Sequence, residues 1–122
     1  MIFLKNYFVN TTKAVDCIPI IHDVRYAIRD SQVANGLVTV TIPASGAGLM
    51  ISERGKEEEK NNLSRPATLS IPLRNKELLL DPKQMIYLVD FSDTGKRREF
   101  YVQVFGDNPP AQQPPQGGRR RA

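Results

Sequence analysis

The sequence predicts an α+β domain, in which short strands predominate over one convincing helix. Three observations carry that reading. Apolar residues alternate over Leu37–Ile42, with Val38, Val40 and Ile42 on one face and Leu37, Thr39 and Thr41 on the other. The period changes between His22 and Val33, where Val24, Ala27, Ile28 and Val33 fall near one helical face. Turn-forming pairs then separate several further runs rich in β-branched and aromatic residues.

Taken in order, Phe3–Val9 is rich in strand formers, and Asn10–Lys13 supplies a turn before a second short strand, Val15–Pro19. Asp23 falls in the first turn of the expected helix, where a carboxylate opposes the positive end of the dipole, and Asn35-Gly36 is expected to end it. Pro43 interrupts the alternating strand. The small residues Ala44-Ser45-Gly46-Ala47-Gly48 follow, and Leu49-Met50-Ile51 resumes an extended run. Residues 53–62 contain nothing apolar, so they read as a solvated loop or helical turn. Thr68–Leu73, Glu77–Leu80, Met85–Phe91 and Glu99–Phe105 complete the strands, with turns at Asn75-Lys76 and Ser92–Gly95.

A chain of 122 residues has room for one domain, placed here over 1–106. The tail, 107–122, is dominated by proline, glutamine, glycine and arginine and reads as disordered or polyproline-like. Of 17 basic and 13 acidic side chains, three arginines and one aspartate lie in that tail, which leaves 14 and 12 in the body. A body so near neutrality lacks the electrostatic signature of a nucleic-acid binder. There is no apolar run of membrane-spanning length and no secretory pattern in the first residues, so the expectation is a cytoplasmic protein without membrane contact.

Chemistry-bearing residues are few. The single histidine, His22, has no companion at metal-ligand spacing and reads as a capping or surface residue; no metal site or cofactor is expected. Cys17, the single cysteine, lies amid Val15, Ile18 and Ile20 and reads as a small hydrophobe. Ser45-Gly46-Ala47-Gly48 suggests an anion-binding loop only weakly, because no Lys-Ser or Lys-Thr pair follows; close backbone approach is the favoured reading. Glu57-Glu58-Glu59, flanked by Lys56 and Lys60, reads as a solvated face. Lys96-Arg97-Arg98 is a basic turn that protects an edge or pairs across it. With Arg119, Arg120 and Arg121 it forms a basic patch, but no aromatic residue interleaves to stack on bases.

The order of segments resembles the YjbQ family, known for secondary thiamine-phosphate synthase activity. Thr11-Thr12-Lys13, Asp23-Val24-Arg25 and Gly36–Val40 match in order, and Gln84–Phe91, Arg97-Arg98 and Val102–Gly106 resemble the family's closing hairpin. Between them, Pro43–Glu53 occupies the place of a family motif of roughly Pro-His-Thr-Thr-Ala-Ala-Leu-Thr-Ile-Asn-Glu. The departures bear on function. The motif histidine falls on Ala44, its two hydroxyl residues on Ser45 and Gly46, its asparagine on Ser52, and a tryptophan on Lys83. The family's His-rich middle section is largely absent between Arg54 and Pro66.

The resemblance implies a YjbQ-like mixed or antiparallel sheet, half-barrel or sandwich-like, in a trimer with sites near subunit boundaries. It leaves a remnant pocket of Ala44, Ser45, Gly46, Glu53 and Gln84 with no catalytic residue. The expected function is therefore a non-catalytic binding or assembly subunit, as a homotrimer or with a full-length relative. The alternatives are a residual thiamine-phosphate synthase or phosphate-ester activity through Glu53 and Gln84, and weak nucleic-acid binding through the basic turn and tail.

Overall fold

The computed structural model describes residues 1–12, 16–44, 46–53, 66–91 and 96–107. Among the described residues eight strands and one helix follow in the order β1 (Ile2–Asn10), β2 (Asp16–Pro19), α1 (Ile21–Ser31), β3 (Asn35–Thr41), β4 (Ala47–Glu53), β5 (Thr68–Arg74), β6 (Glu77–Leu78), β7 (Gln84–Asp90) and β8 (Arg97–Asp107). Two sheets result, one ordered β1-β8-β3-β5-β6 and the other β2-β7-β4, and every pairing is antiparallel.

Alternation decides which face of the five-stranded sheet is dry. Val38 and Val40 of β3, Ile71 and Leu73 of β5, and Phe100, Val102 and Val104 of β8 point into one core. Leu37, Thr39 and Thr41 point out, as the sequence pattern predicts. β7 differs. All of Met85–Asp90 is buried, because β7 is the middle strand of the second sheet and is covered on both sides. Its near-continuous apolar run is the sequence mark of that position.

The helix is shorter than its expected span and ends differently. Ser31 closes its last turn, donating to the Ile28 carbonyl at 2.7 Å and accepting the Val33 amide at 3.0 Å. Gln32 then adopts the left-handed conformation, φ 62°. Val33 is buried beyond the helix, and Asn35-Gly36 opens β3 rather than capping α1. Gly36 has another role. It faces Gly106 across the β3–β8 pair, and a Cβ built on it would lie 1.9 Å from the Phe105 carbonyl oxygen.

Other boundaries also shift. β4 begins at Ala47, so Ala47-Gly48 belongs to the strand that Leu49-Met50-Ile51 suggests. β6 stops at Leu78, because the Leu80 amide turns back to the Leu78 carbonyl at 2.8 Å. Arg97 and Arg98 lie within β8 and not in a turn. Of the loop expected over 53–62, Glu53 ends β4, and of the tail expected over 107–122, Asp107 ends β8; residues 54–62, the turn at 92–95 and residues 108–122 lie outside the described residues. No helix among the described residues is long and apolar enough to cross a membrane.

The outer face of the large sheet is left open. Ile2, Phe105, Leu37 and Pro72 stand in register across β1, β8, β3 and β5. The first three are well exposed, at 64%, 54% and 40%. That row is a contiguous apolar band at one end of the sheet.

Candidate functional site

The segment carrying the candidate residues runs from Pro43 into β4, beside the C-terminal end of β7. Ala44 is half-buried and packs its methyl group against the core. The Gly46 carbonyl accepts the Phe91 amide at 2.6 Å, and Ala47 stands opposite Asp90. Ser45 lies outside the described residues.

Glu53 and Gln84 face each other at the other end of the β4–β7 pair. The extended chain from Gly46 to Glu53 spans on the order of 20 Å at about 3.3 Å per residue. The four described residues of the expected remnant pocket, Ala44 and Gly46 on one side and Glu53 and Gln84 on the other, therefore lie at opposite ends of a strand. Gln84 is committed locally: its side-chain carbonyl accepts the Asp81 amide at 2.9 Å, while its own backbone amide donates to the Asp81 carbonyl at 2.9 Å. Glu53 is exposed.

Between the two sheets, at the Gly46 end, is a polar cluster that the sequence pattern does not assemble. Asp90 is fully buried. Its carboxylate receives Arg98 Nε at 3.0 Å and Nη2 at 3.1 Å in a two-pronged fork, and Thr11 Oγ1 donates to it at 2.6 Å. Thr11 Oγ1 in turn accepts the Lys96 amide at 2.9 Å. On the neighbouring strand Asp16 stands opposite Asp90, its oxygens accepting the amides of Thr12 at 2.9 Å and Cys17 at 3.0 Å. Burying two charges is favourable only with such pairing and hydrogen bonding. The fork ties the end of β7 to β8 and thus one sheet to the other. With its carboxylate held by a permanent cation and a hydroxyl, Asp90 is placed to brace the junction.

One member of the expected basic patch is taken out of it by this arrangement. Arg98 is buried in the fork, because alternation puts it on the inner face with Phe100, Val102 and Val104. Arg97 stays outside, 3.3 Å from Glu99 and with its guanidinium 3.9 Å above the Phe8 ring. Lys96 is exposed, and Arg119, Arg120 and Arg121 lie outside the described residues. Cys17 is only half-buried, and His22 is exposed in a helix start that has no side-chain cap.

Two groups have shifted acidities. Burial, with Asp30 and Asp23 nearby, pushes the Tyr7 hydroxyl above its ordinary value, against a smaller opposing effect of Arg29. That hydroxyl has no hydrogen-bond partner among the described residues. Burial likewise raises Asp23, partly offset by His22. A cleft of about 480 Å³ opens between Arg25 and Ile28 of α1 and Lys76, Glu77 and Asp81 of the turn region near Gln84, away from Ala44. No group of three or more His, Cys, Asp or Glu among the described residues is placed to hold a metal ion.

Comparison with known proteins fits this frame. A UPF0047 protein of Methanocaldococcus jannaschii is 24% identical over 132 residues, covering 85% of this chain and 95% of the relative. The chain is thus similar to proteins of the UPF0047/YjbQ family. Solved structures agree on the fold. A YbjQ-like protein of unknown function from Sulfolobus solfataricus P2 superposes with a TM-score of 0.79 at 18% identity, over 88% of this chain and 99% of that one. An uncharacterised yjbq/upf0047 protein from Clostridium acetobutylicum gives 0.72 at 22%, over 83% and 99%. No protein-family model matches the chain. The likeness to these solved structures is a likeness of fold.

Proposed function

We propose that this UPF0047/YjbQ-like protein is a non-catalytic binding or assembly subunit. The observation that carries the reading is the distance of Glu53 and Gln84 from Ala44. Glu53 and Gln84 stand about a strand's length from Ala44, where the family resemblance places an imidazole, and Gln84 is already engaged by Asp81. A methyl group cannot bind metal or move a proton. The nearest charged group by register, Asp90, is held by Arg98 and Thr11.

Assembly is supported by the apolar row Ile2–Phe105–Leu37–Pro72, which water covers in the isolated chain and which association would bury. The resemblance favours three copies per particle, and a full-length relative is a second partner of the same kind. Any ligand retained at the Gly46 end is a small anion held by backbone amides and Ser45. The test is an assay of the purified chain for thiamine-phosphate formation, with Glu53→Gln as control. No product above the protein-free background is expected. Turnover that disappears in Glu53→Gln overturns the reading in favour of a residual enzyme.

A further inference from the structure

We propose that the free edge of β1 docks a second copy of this chain, whose own β1 adds antiparallel across a two-fold axis at Asn6. Among the described residues β1 is the terminal strand of the large sheet. Its hydrogen-bond register is fixed at both ends. The Gly106 amide donates to the Met1 carbonyl at 3.1 Å, and the Thr11 amide donates to the Lys96 carbonyl at 2.8 Å. Both contacts continue the pairing in which Ile2 meets Phe105 and Asn10 meets Arg97. Hydrogen-bonded and non-hydrogen-bonded positions alternate in an antiparallel ladder. The odd-numbered residues therefore direct their amides and carbonyls to β8, and Ile2, Leu4, Asn6, Phe8 and Asn10 direct theirs to the open side.

Such an edge is a template for another strand unless something blocks it. β1 has no proline, no glycine and one charge. That charge, Lys5, lies on the inner side, 3.6 Å from Asp30 and 5.7 Å from the Tyr7 ring centroid. The other edges are less available. β6 has two residues, β2 has four and ends in Pro19, and the Leu49 amide of β4 already donates to the Pro66 carbonyl.

The side chains of β1 match a copy of themselves. With Asn6 opposite the partner's Asn6, Leu4 meets the partner's Phe8 and Ile2 meets the partner's Asn10 on the outer face. On the inner face Lys5 meets the partner's Tyr7, an ammonium beside an aromatic ring, so no like charges oppose. All five open positions are then paired, giving up to about ten backbone hydrogen bonds across the axis. The pairing is independent of whether turnover is retained, and it is compatible with a particle built from three chains, which it would double to six.

The test is the mass of the full chain in solution by light scattering and sedimentation, from about 1 µM to about 500 µM, the range in which a modest interface forms. The expected mass at high concentration is an even multiple of the 13.7 kDa chain. Asn6→Lys, which sets two ammonium groups face to face at the axis, should halve it. Asn6→Pro should do the same, since the amide it removes is one that β8 does not use; unchanged circular dichroism checks that each variant is folded. Amide exchange gives an independent reading: Leu4, Asn6 and Phe8 should exchange at least tenfold faster in Asn6→Lys than in the parent. An odd multiple at every concentration, a mass unchanged by Asn6→Lys, or equal exchange at those three amides overturns the proposal.

Discussion

Replacing Arg98 by methionine tests the brace between the sheets. In the parent, Asp90 is fully buried and its two oxygens are shared among Arg98 Nε, Arg98 Nη2 and Thr11 Oγ1. Arg98→Met keeps most of the buried hydrocarbon but takes both guanidinium donors, and the compensating positive charge, from a fully buried carboxylate. Stranding one partner of a buried ion pair costs about 3–5 kcal/mol. For a domain of this size each kcal/mol shifts the melting temperature by about 3–5 °C, so a drop of about 10–20 °C is expected. Urea and thermal unfolding at pH 7 measure it directly. The double variant Asp90→Asn/Arg98→Met should be less destabilised than Arg98→Met alone, because no unpaired charge remains. A loss below about 1 kcal/mol in Arg98→Met would refute the reasoning, since an ordinary solvent-exposed ion pair contributes that much. A double variant worse than the single would refute it equally.

Three further outcomes are expected. Gly36→Ala should cost more than about 3 kcal/mol or prevent folding, because its Cβ would meet the Phe105 carbonyl oxygen at 1.9 Å; a denaturation midpoint near the parent's would contradict the close approach of β3 and β8. Gln32→Gly should stabilise by about 0.5–1 kcal/mol, because it relieves a left-handed residue at the end of α1, and chemical unfolding with an unchanged m-value would register the gain. Tyr7→Phe removes a buried hydroxyl that has no partner among the described residues and should be neutral or stabilising by about 1–2 kcal/mol. Because the folded state raises this hydroxyl above 10.0, its contribution is fully present below that value and is lost as pH rises through the raised one; the decline in parent stability above about pH 10 should be shallower in Tyr7→Phe.

Much of the scaffold is legible in the sequence, because period and burial coincide wherever one face of an element is wet. β3 alternates cleanly, and α1 shows its Val24, Ala27 and Ile28 stripe. The end of α1 is less legible, because Asn35-Gly36 carries a strong stop signal, whereas Ser31 and Gln32 close the helix four residues earlier through specific hydrogen bonds. The Asp90–Arg98 fork is hidden, although its signals are present. An aspartate ending the apolar run Met85–Val89 needs a buried partner, and alternation with Phe100 and Val102 turns Arg98 inward. Reading Lys96-Arg97-Arg98 as one charge run conceals that alternation. The grouping of Ala44 and Gly46 with Glu53 and Gln84 follows motif order, and order along a strand does not make neighbours of its two ends.

The central claim, that the motif residues no longer form one working pocket, is tested most directly by amide NMR of the chain titrated with thiamine phosphate. The account predicts that Gly46 on one side, and Glu53 with Gln84 on the other, do not shift together. A common midpoint for shifts at both ends would mean that assembly reunites them around one ligand, and it would contradict the account.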